Sequence, residues 1–283
     1  MLARLRELEG ALVFTIVTVG LTLACALWLV PPADAAATSW SAMLRASVIY
    51  VAVVGWQPLI GFTLARRFAT DRLRFDEGFR VSATRHSLAA VGIGLFVVTV
   101  SVLLGDADPL PDPQQLDGNW LTTARVVLAF LGVISLLWLQ AIIEELGWRS
   151  YVLPRLMLAL GAWPGLLVHG VLWGLCYSPW FAVAGGSLTR SLGYVVTCCL
   201  FGVVLGWLRL STRSIFASAA TNATLTICAG LPLLLTGEST RFSAAFEPPG
   251  WVPLAVLAIA IVLHRPWRRA ITIPWLPVLP RAR

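Results

Sequence analysis

Eight apolar runs, each close to the length of a bilayer crossing, constrain this chain more than any other feature. They fall at about 10–31, 41–65, 87–105, 121–143, 157–183, 189–208, 215–236 and 250–264. A spanning helix needs about 20 mostly apolar residues, and in lipid only helices and closed barrels satisfy every backbone polar group. The runs therefore predict an all-α fold, a polytopic integral membrane helix bundle with about eight transmembrane helices. Charged residues make up only 12% of the 283 and the mean hydropathy is +0.81, against about 25% charged residues in soluble domains. The first run is flanked by "PADAAATS", as a signal peptide would be. Its apolar core exceeds the usual 7 to 15 residues of such peptides, however, and it is read as a span. The fifth run contains Pro164 and Pro179, where a kink or a split is expected.

Arginine placement orients the spans. The net charge of +7 comes entirely from arginine, since the chain has no lysine. The segment "RRFATDRLRFDEGFRVSATRH" after the second run carries six arginines, and "GDADPLPDPQQLDG" after the third carries four aspartates and no positive charge. Arg209 and Arg213 follow the sixth run, and Arg265, Arg268 and Arg269 follow the eighth. With eight spans these basic segments share one side with Arg4 and Arg6, so the positive-inside rule places both termini in the cytoplasm. The same balance excludes a nucleic-acid partner, because no basic run interleaves with aromatics. The five cysteines lie in apolar runs without CxxC spacing, which predicts buried thiols rather than a disulfide framework or metal site. The tryptophans, with Trp28, Trp120, Trp251 and Trp267 near run ends, are expected to be mostly interfacial anchors. Gly202 and Gly206 form a GxxxG suited to close helix packing.

One stretch interrupts the apolar pattern. "AIIEELGWRSYVLPRL" (141–156) places Glu144, Glu145 and Arg149 at the end of the fourth run, and no other run contains an acidic residue. An ionisable side chain at the bilayer centre costs about 2.5 to 3.5 kcal/mol on insertion scales. A helix end in the headgroup region, with Arg149 snorkelling to water, is the bland reading. The sharper one starts from spacing. Glu145 and Arg149 are an i, i+4 pair on one helical face, whereas Glu144 points about 100° away. One carboxylate can then be paired while the other is free to act as a base.

"EELGWRSYVLPRL" resembles the EExxxR signature of the CAAX prenyl protease and bacteriocin-processing (CPBP, or Abi) family, and the resemblance extends over residues 121–235. The family's pattern continues with FxxxH and then HxxxN. "HGVLWGLCYSPWF" (169–181) is similar to the second motif, with Trp173 at its aromatic position, Pro179 trailing, and Tyr177 where the histidine stands. "SIFASAATNATLT" (214–226) is similar to the third, with Asn222 at the histidine position and Thr226 at the asparagine. The resemblance implies that Glu144 activates a water with help from a histidine, and that the later histidine and asparagine stabilise an oxyanion. General-base help is worth typically 10²- to 10⁴-fold and one oxyanion donor about 10²- to 10³-fold. A tyrosine, with an ordinary pKa near 10, is a poor base, while Asn222 retains an amide donor and Thr226 a hydroxyl. The candidate catalytic set is Glu144, Glu145, Arg149, Tyr177, Asn222 and Thr226. His169 lies eight residues before Tyr177, about 80° around the helix, and a packing or polar-contact role is favoured for it.

The resemblance implies three units: residues 1–120 with spans 1–3 and a basic cytoplasmic loop, 121–236 with the family-like core, and 237–283 with the last span and a basic tail. It also implies an intramembrane endopeptidase in a bacterial cell membrane, weak or altered in activity, whose substrates are membrane-associated peptides or proteins, lipidated ones included. No cofactor is expected, and the loss of both motif histidines speaks against a tightly held metal. A catalytically degenerate relative serving as a membrane binding or immunity protein is the alternative. An ion-coupled transporter built on the glutamate pair ranks last, because neither inverted repeats nor paired broken helices are evident. Orientation is directly measurable: in Asp112→Cys, the new thiol should react with an impermeant maleimide from outside intact cells. Reaction only after permeabilisation would reverse the topology.

Overall fold

The computed structural model describes residues 2–29, 55–69, 78–80, 84–105, 120–183, 188–236 and 243–264. Its helices are α1 (Leu2–Leu29), α2 (Gln57–Phe68), α3 (Thr84–Leu104) and α4 (Trp120–Glu145), the last running through a π-helical segment (Leu146–Val152) into α5 (Leu153–Leu160). Then come α6 (Ala162–Val183), α7 (Leu188–Thr212), α8 (Ile215–Thr236), a 3₁₀ turn (Ser243–Phe246) and α9 (Pro248–His264). No strand occurs among the described residues. Leu8–Leu27, Thr84–Leu104, Leu131–Leu160 and Ser191–Thr212 are long and apolar enough to cross a membrane, and Ile215–Ala229 and Pro248–His264 are shorter apolar helices. The chain is an all-α membrane helix bundle. The start of the second expected span, the acidic segment after the third and the tail beyond 264 lie outside the described residues.

The boundary between the fourth and fifth expected spans moves. The charges at 144–149 suggested a helix end at 143, but they are buried, with Glu145 and Arg149 paired at 3.1 Å, and the helix continues past them to Leu160. It stops at Gly161, whose φ of +95° suits a residue without a Cβ, and Pro164 stands in the first turn of the helix that follows. The break expected near Pro164 is therefore found three residues earlier, and it divides the fifth run.

Polar side chains inside the helices mostly return to their own backbone. Thr15, Thr18 and Ser101 each donate to the carbonyl four residues back, at 2.6 to 2.7 Å, which hides a hydroxyl where no water is available. Others tie helices together. Thr221 on α8 donates to Ala90 O on α3 at 2.7 Å. Thr197 on α7 donates to Phe246 O and accepts from Trp251 Nε1 on α9. The closest helix contact is between α6 and α7. A Cβ on Gly170 or Gly174 would lie 2.6 Å from the Cα of Cys199 or Val195, so this second GxxxG lets two backbones touch. Gly202 faces Gly170 across the same interface.

The π segment is the hub. Helices α1, α2, α6, α7 and α8 all pack against it, and all seven of its residues are buried. The Leu153 N–H bonds to Trp148 O five residues back. Pro154, which has no N–H to return to Ser150, follows immediately. Such widened turns are frequent at functional sites. Gly147 lets α1 approach: a Cβ there would meet the Phe14 ring at 2.7 Å, and that ring packs edge-on to Trp148, with centroids 4.9 Å apart.

Candidate active site

Glu144 and Glu145 end α4 with their side chains inside the bundle, 6% and 0% exposed. Glu144 accepts from three helical elements. Gln140 Nε2, one turn earlier on α4, donates to Oε1 at 3.2 Å. Tyr177 Oη from α6 donates to Oε1 at 2.9 Å, and Asn222 Nδ2 from α8 donates to Oε2 at 2.9 Å. Every partner is a donor, so the carboxylate is used throughout as an acceptor. The same Asn222 amide reaches Glu145 Oε1 at 3.5 Å and thereby bridges the pair.

Glu145 faces the other way, as the 100° offset requires. Arg149 Nη1 lies 3.1 Å from its Oε1 with both side chains fully buried. The contact is at ion-pair distance but off the line of a hydrogen bond, so the attraction is Coulombic. The guanidinium sits over the Trp173 ring, 3.7 Å from Cζ to the centroid, where the face of the ring attracts a cation. Ser218, one turn before Asn222, lies beside Glu145.

Tyr177 and Asn222, at the two histidine positions of the expected motifs, are thus brought together on Glu144. Thr226 is not: it is half-buried, one turn and about 6 Å further along α8, and makes no hydrogen bond to this cluster. His169 is fully buried, edge-on to Trp148 with centroids 5.8 Å apart and tilted against Trp173 at 6.4 Å. It belongs to an aromatic stack behind Arg149 rather than to the glutamates. Two tryptophans depart from the expected interfacial pattern, because Trp148 and Trp173 are core residues, 0% and 3% exposed. They back a buried cation, a role that run ends do not reveal. Among the described residues no three His, Cys, Asp or Glu side chains are grouped to hold a metal ion.

Two partners were not anticipated. Gln140 is the one amide in the apolar run before the glutamates, four residues from Glu144, and that spacing was the available signal. A second polar knot, in which Thr22 of α1 contacts Gln57 of α2 and lies 3.5 Å from Cys176 Sγ, sits beside Tyr177. It joins residues far apart in the chain, and no local pattern announces it. Removing Arg149 should be costly. Arg149→Ala leaves Glu145 buried without its counter-charge, which typically destabilises by about 3 to 5 kcal/mol. Thermal melting in detergent should fall sharply for Arg149→Ala and recover in part when Glu145→Gln is added. An unchanged melting curve would refute the pair.

A family model described as type II CAAX prenyl endopeptidase Rce1-like matches residues 126–228, from α4 through the π segment to the turn of α8 that carries Thr226. CAAX prenyl protease 2 of Methanococcus maripaludis is 26% identical over 92 residues, 30% of this chain and 34% of that protein. The chain therefore spans about a third of the length of the curated relative it matches. The matched region contains every residue of the acidic cluster. Through this helical core the chain is similar to the Rce1-like type II CAAX prenyl endopeptidases over residues 126–228.

Proposed function

We propose that the chain is a membrane endopeptidase that hydrolyses peptide bonds of membrane-associated peptides or proteins, lipidated ones included, with Glu144 as the base that activates water. The observation that carries this reading is the convergence of Tyr177 Oη and Asn222 Nδ2 on the Glu144 carboxylate, each at 2.9 Å. Donors from two other helices stand at the motif positions, around a glutamate whose neighbour is already neutralised by Arg149. In the proposed reaction Glu144 takes a proton from a water. The resulting hydroxide adds to the substrate carbonyl, and Asn222 donates to the developing oxyanion. Glu144 then returns the proton to the leaving amine. Tyr177 holds Glu144 in orientation but supplies no base, so turnover is slow. Both termini and the arginine-rich segment 66–86 face the cytoplasm in this reading, and the enzyme resides in the cell membrane.

One observation favours a second reading, a binding or immunity protein that has lost catalysis. Three donors already occupy Glu144, leaving about one of its four acceptor positions for a water. Cleavage of a panel of membrane peptides in liposomes, followed by mass spectrometry, separates the two. The enzyme reading predicts slow product formation by wild type, reduced about 10²- to 10⁴-fold in Glu144→Gln. It also predicts faster cleavage when Tyr177→His, Asn222→His and Thr226→Asn are combined. Activity confined to the combined variant, and abolished there by Glu144→Gln, selects the binder. Wild-type cleavage indifferent to Glu144→Gln would overturn the assignment of the base.

A further inference from the structure

The turn between α7 and α8 lies where two crossings end. Thr84–Leu104 and Ser191–Thr212 are both long and apolar enough to cross a membrane. Thr221 and Ala90, each the seventh residue of its helix, are joined at 2.7 Å, so α3 and α8 start at one level. Only Arg213 and Ser214 separate the end of α7 from α8. Residues 78–80 cross this end. Gly78 O accepts from the Ile215 N–H at 3.0 Å, and the Phe79 ring meets Phe216, with centroids 6.1 Å apart. Arg80 and Arg213 thereby flank one hydrogen bond, each two residues from a partner in it. Arg85 stands in the first turn of α3.

Packing does not account for three features of this end. Arg80, Arg85 and Arg213 are exposed, and none makes a side-chain hydrogen bond or ion pair among the described residues. Phe79 is 53% exposed beside them, although Phe216 offers it a ring to pack on. Arg213 has a left-handed φ of +56°, the one residue other than glycine to do so among the described residues. Glycine or asparagine is favoured just past a helix end in that conformation, and a bulky side chain there is strained. Strain of this kind persists where function retains it.

Location narrows the partner. The ends of a membrane-crossing helix stand in the headgroup layer, so these guanidinium groups lie at the level of lipid phosphates. Arginine meets a phosphate with two parallel N–H donors. A zwitterionic headgroup brings its own ammonium group to the phosphate, whereas an anionic one leaves the phosphate to the protein. We propose that Phe79, Arg80, Arg85 and Arg213 form a docking surface for the phosphate of an anionic phospholipid, with the Phe79 ring against the start of its acyl chains. The bond from Ile215 to Gly78 ties this surface to α8, the helix that carries Asn222 to Glu144.

Photolabelling tests the surface. The full chain is reconstituted in phosphatidylcholine vesicles with a trace of phosphatidylglycerol or phosphatidylcholine, each carrying the same diazirine high on one acyl chain. Adducts within 79–85 and 213–216 are counted by mass spectrometry. One arginine near the surface favours an anionic lipid by about fivefold. Wild type should therefore label with phosphatidylglycerol more than about tenfold over phosphatidylcholine, and the preference should shrink at about 1 M salt. Arg80→Gln should lower the preference about fivefold, and its combination with Arg213→Gln about 25-fold. Arg213→Gly separates binding from folding. Glycine relieves the left-handed strain, so thermal melting should hold or rise while the preference falls about fivefold, an opposition that a structural role does not produce. Should Arg80→Gln fail to accumulate, Arg213→Gly decides alone. Equal labelling by the two lipids overturns the proposal. So does a preference that these substitutions leave unchanged, or inorganic phosphate competing as well as unlabelled phosphatidylglycerol, which would make this a site for a free anion.

Discussion

Two adjacent carboxylates inside an apolar helix bundle must be compensated, the local sequence supplies only Gln140 and Arg149, and the rest of the structure is arranged around that requirement. Glu144 and Glu145 diverge by about 100° on their helix. The donors for one therefore come from α6 and α8, and the cation for the other from the next turn of the same rod. Arg149 must reach back to Glu145 while lying over Trp173, and the chain makes this turn π-helical. A widened turn packs poorly alone, which accounts for its seven buried residues and for the five other helices gathered against it. The acidic pair thus ties together the elements that the family match covers.

Much of this was legible in the sequence, for identifiable reasons. Apolar runs reveal spans because lipid enforces length and composition together. The Glu145–Arg149 pairing follows from i, i+4 spacing, and the positions of Tyr177 and Asn222 from counting along the motif surroundings. What stayed hidden depends on contacts between distant segments. Charge at 144–149 read as a helix end because burial with compensation looks the same in sequence as exposure. The split at Gly161 was expected near Pro164, because proline is the louder breaker while the positive φ belongs to the glycine. Thr226 followed from motif spacing alone, yet it lies one turn past the cluster. The aromatic stack of Trp148, His169 and Trp173 needed α6 laid against the π segment before its role behind Arg149 emerged.

In the proposed reading, tyrosine and asparagine at the histidine positions of the motifs shift the chemistry rather than erase the site. An imidazole beside Glu144 could exchange protons at neutral pH, whereas Tyr177 Oη and Asn222 Nδ2 offer donation. The result is a glutamate held by fixed donors in a water-poor setting, where each hydrogen bond is stronger than it would be in water. Such an arrangement suits orientation and oxyanion stabilisation better than proton shuttling. That is why the proposed activity is slow, and why occupation of Glu144 by its own donors separates the catalytic and binding readings.

Tyr177 and Glu144 are joined across two helices by a buried hydrogen bond. A double-mutant cycle on stability tests it most directly, with Tyr177→Phe, Glu144→Met and the combined variant unfolded in matched detergent. Methionine fills the carboxylate's space without an acceptor, and phenylalanine removes only the hydroxyl. A direct bond predicts a coupling of about 1 to 3 kcal/mol between the two substitutions. Additive losses, with coupling near zero, would contradict the account, because the two side chains would then not meet.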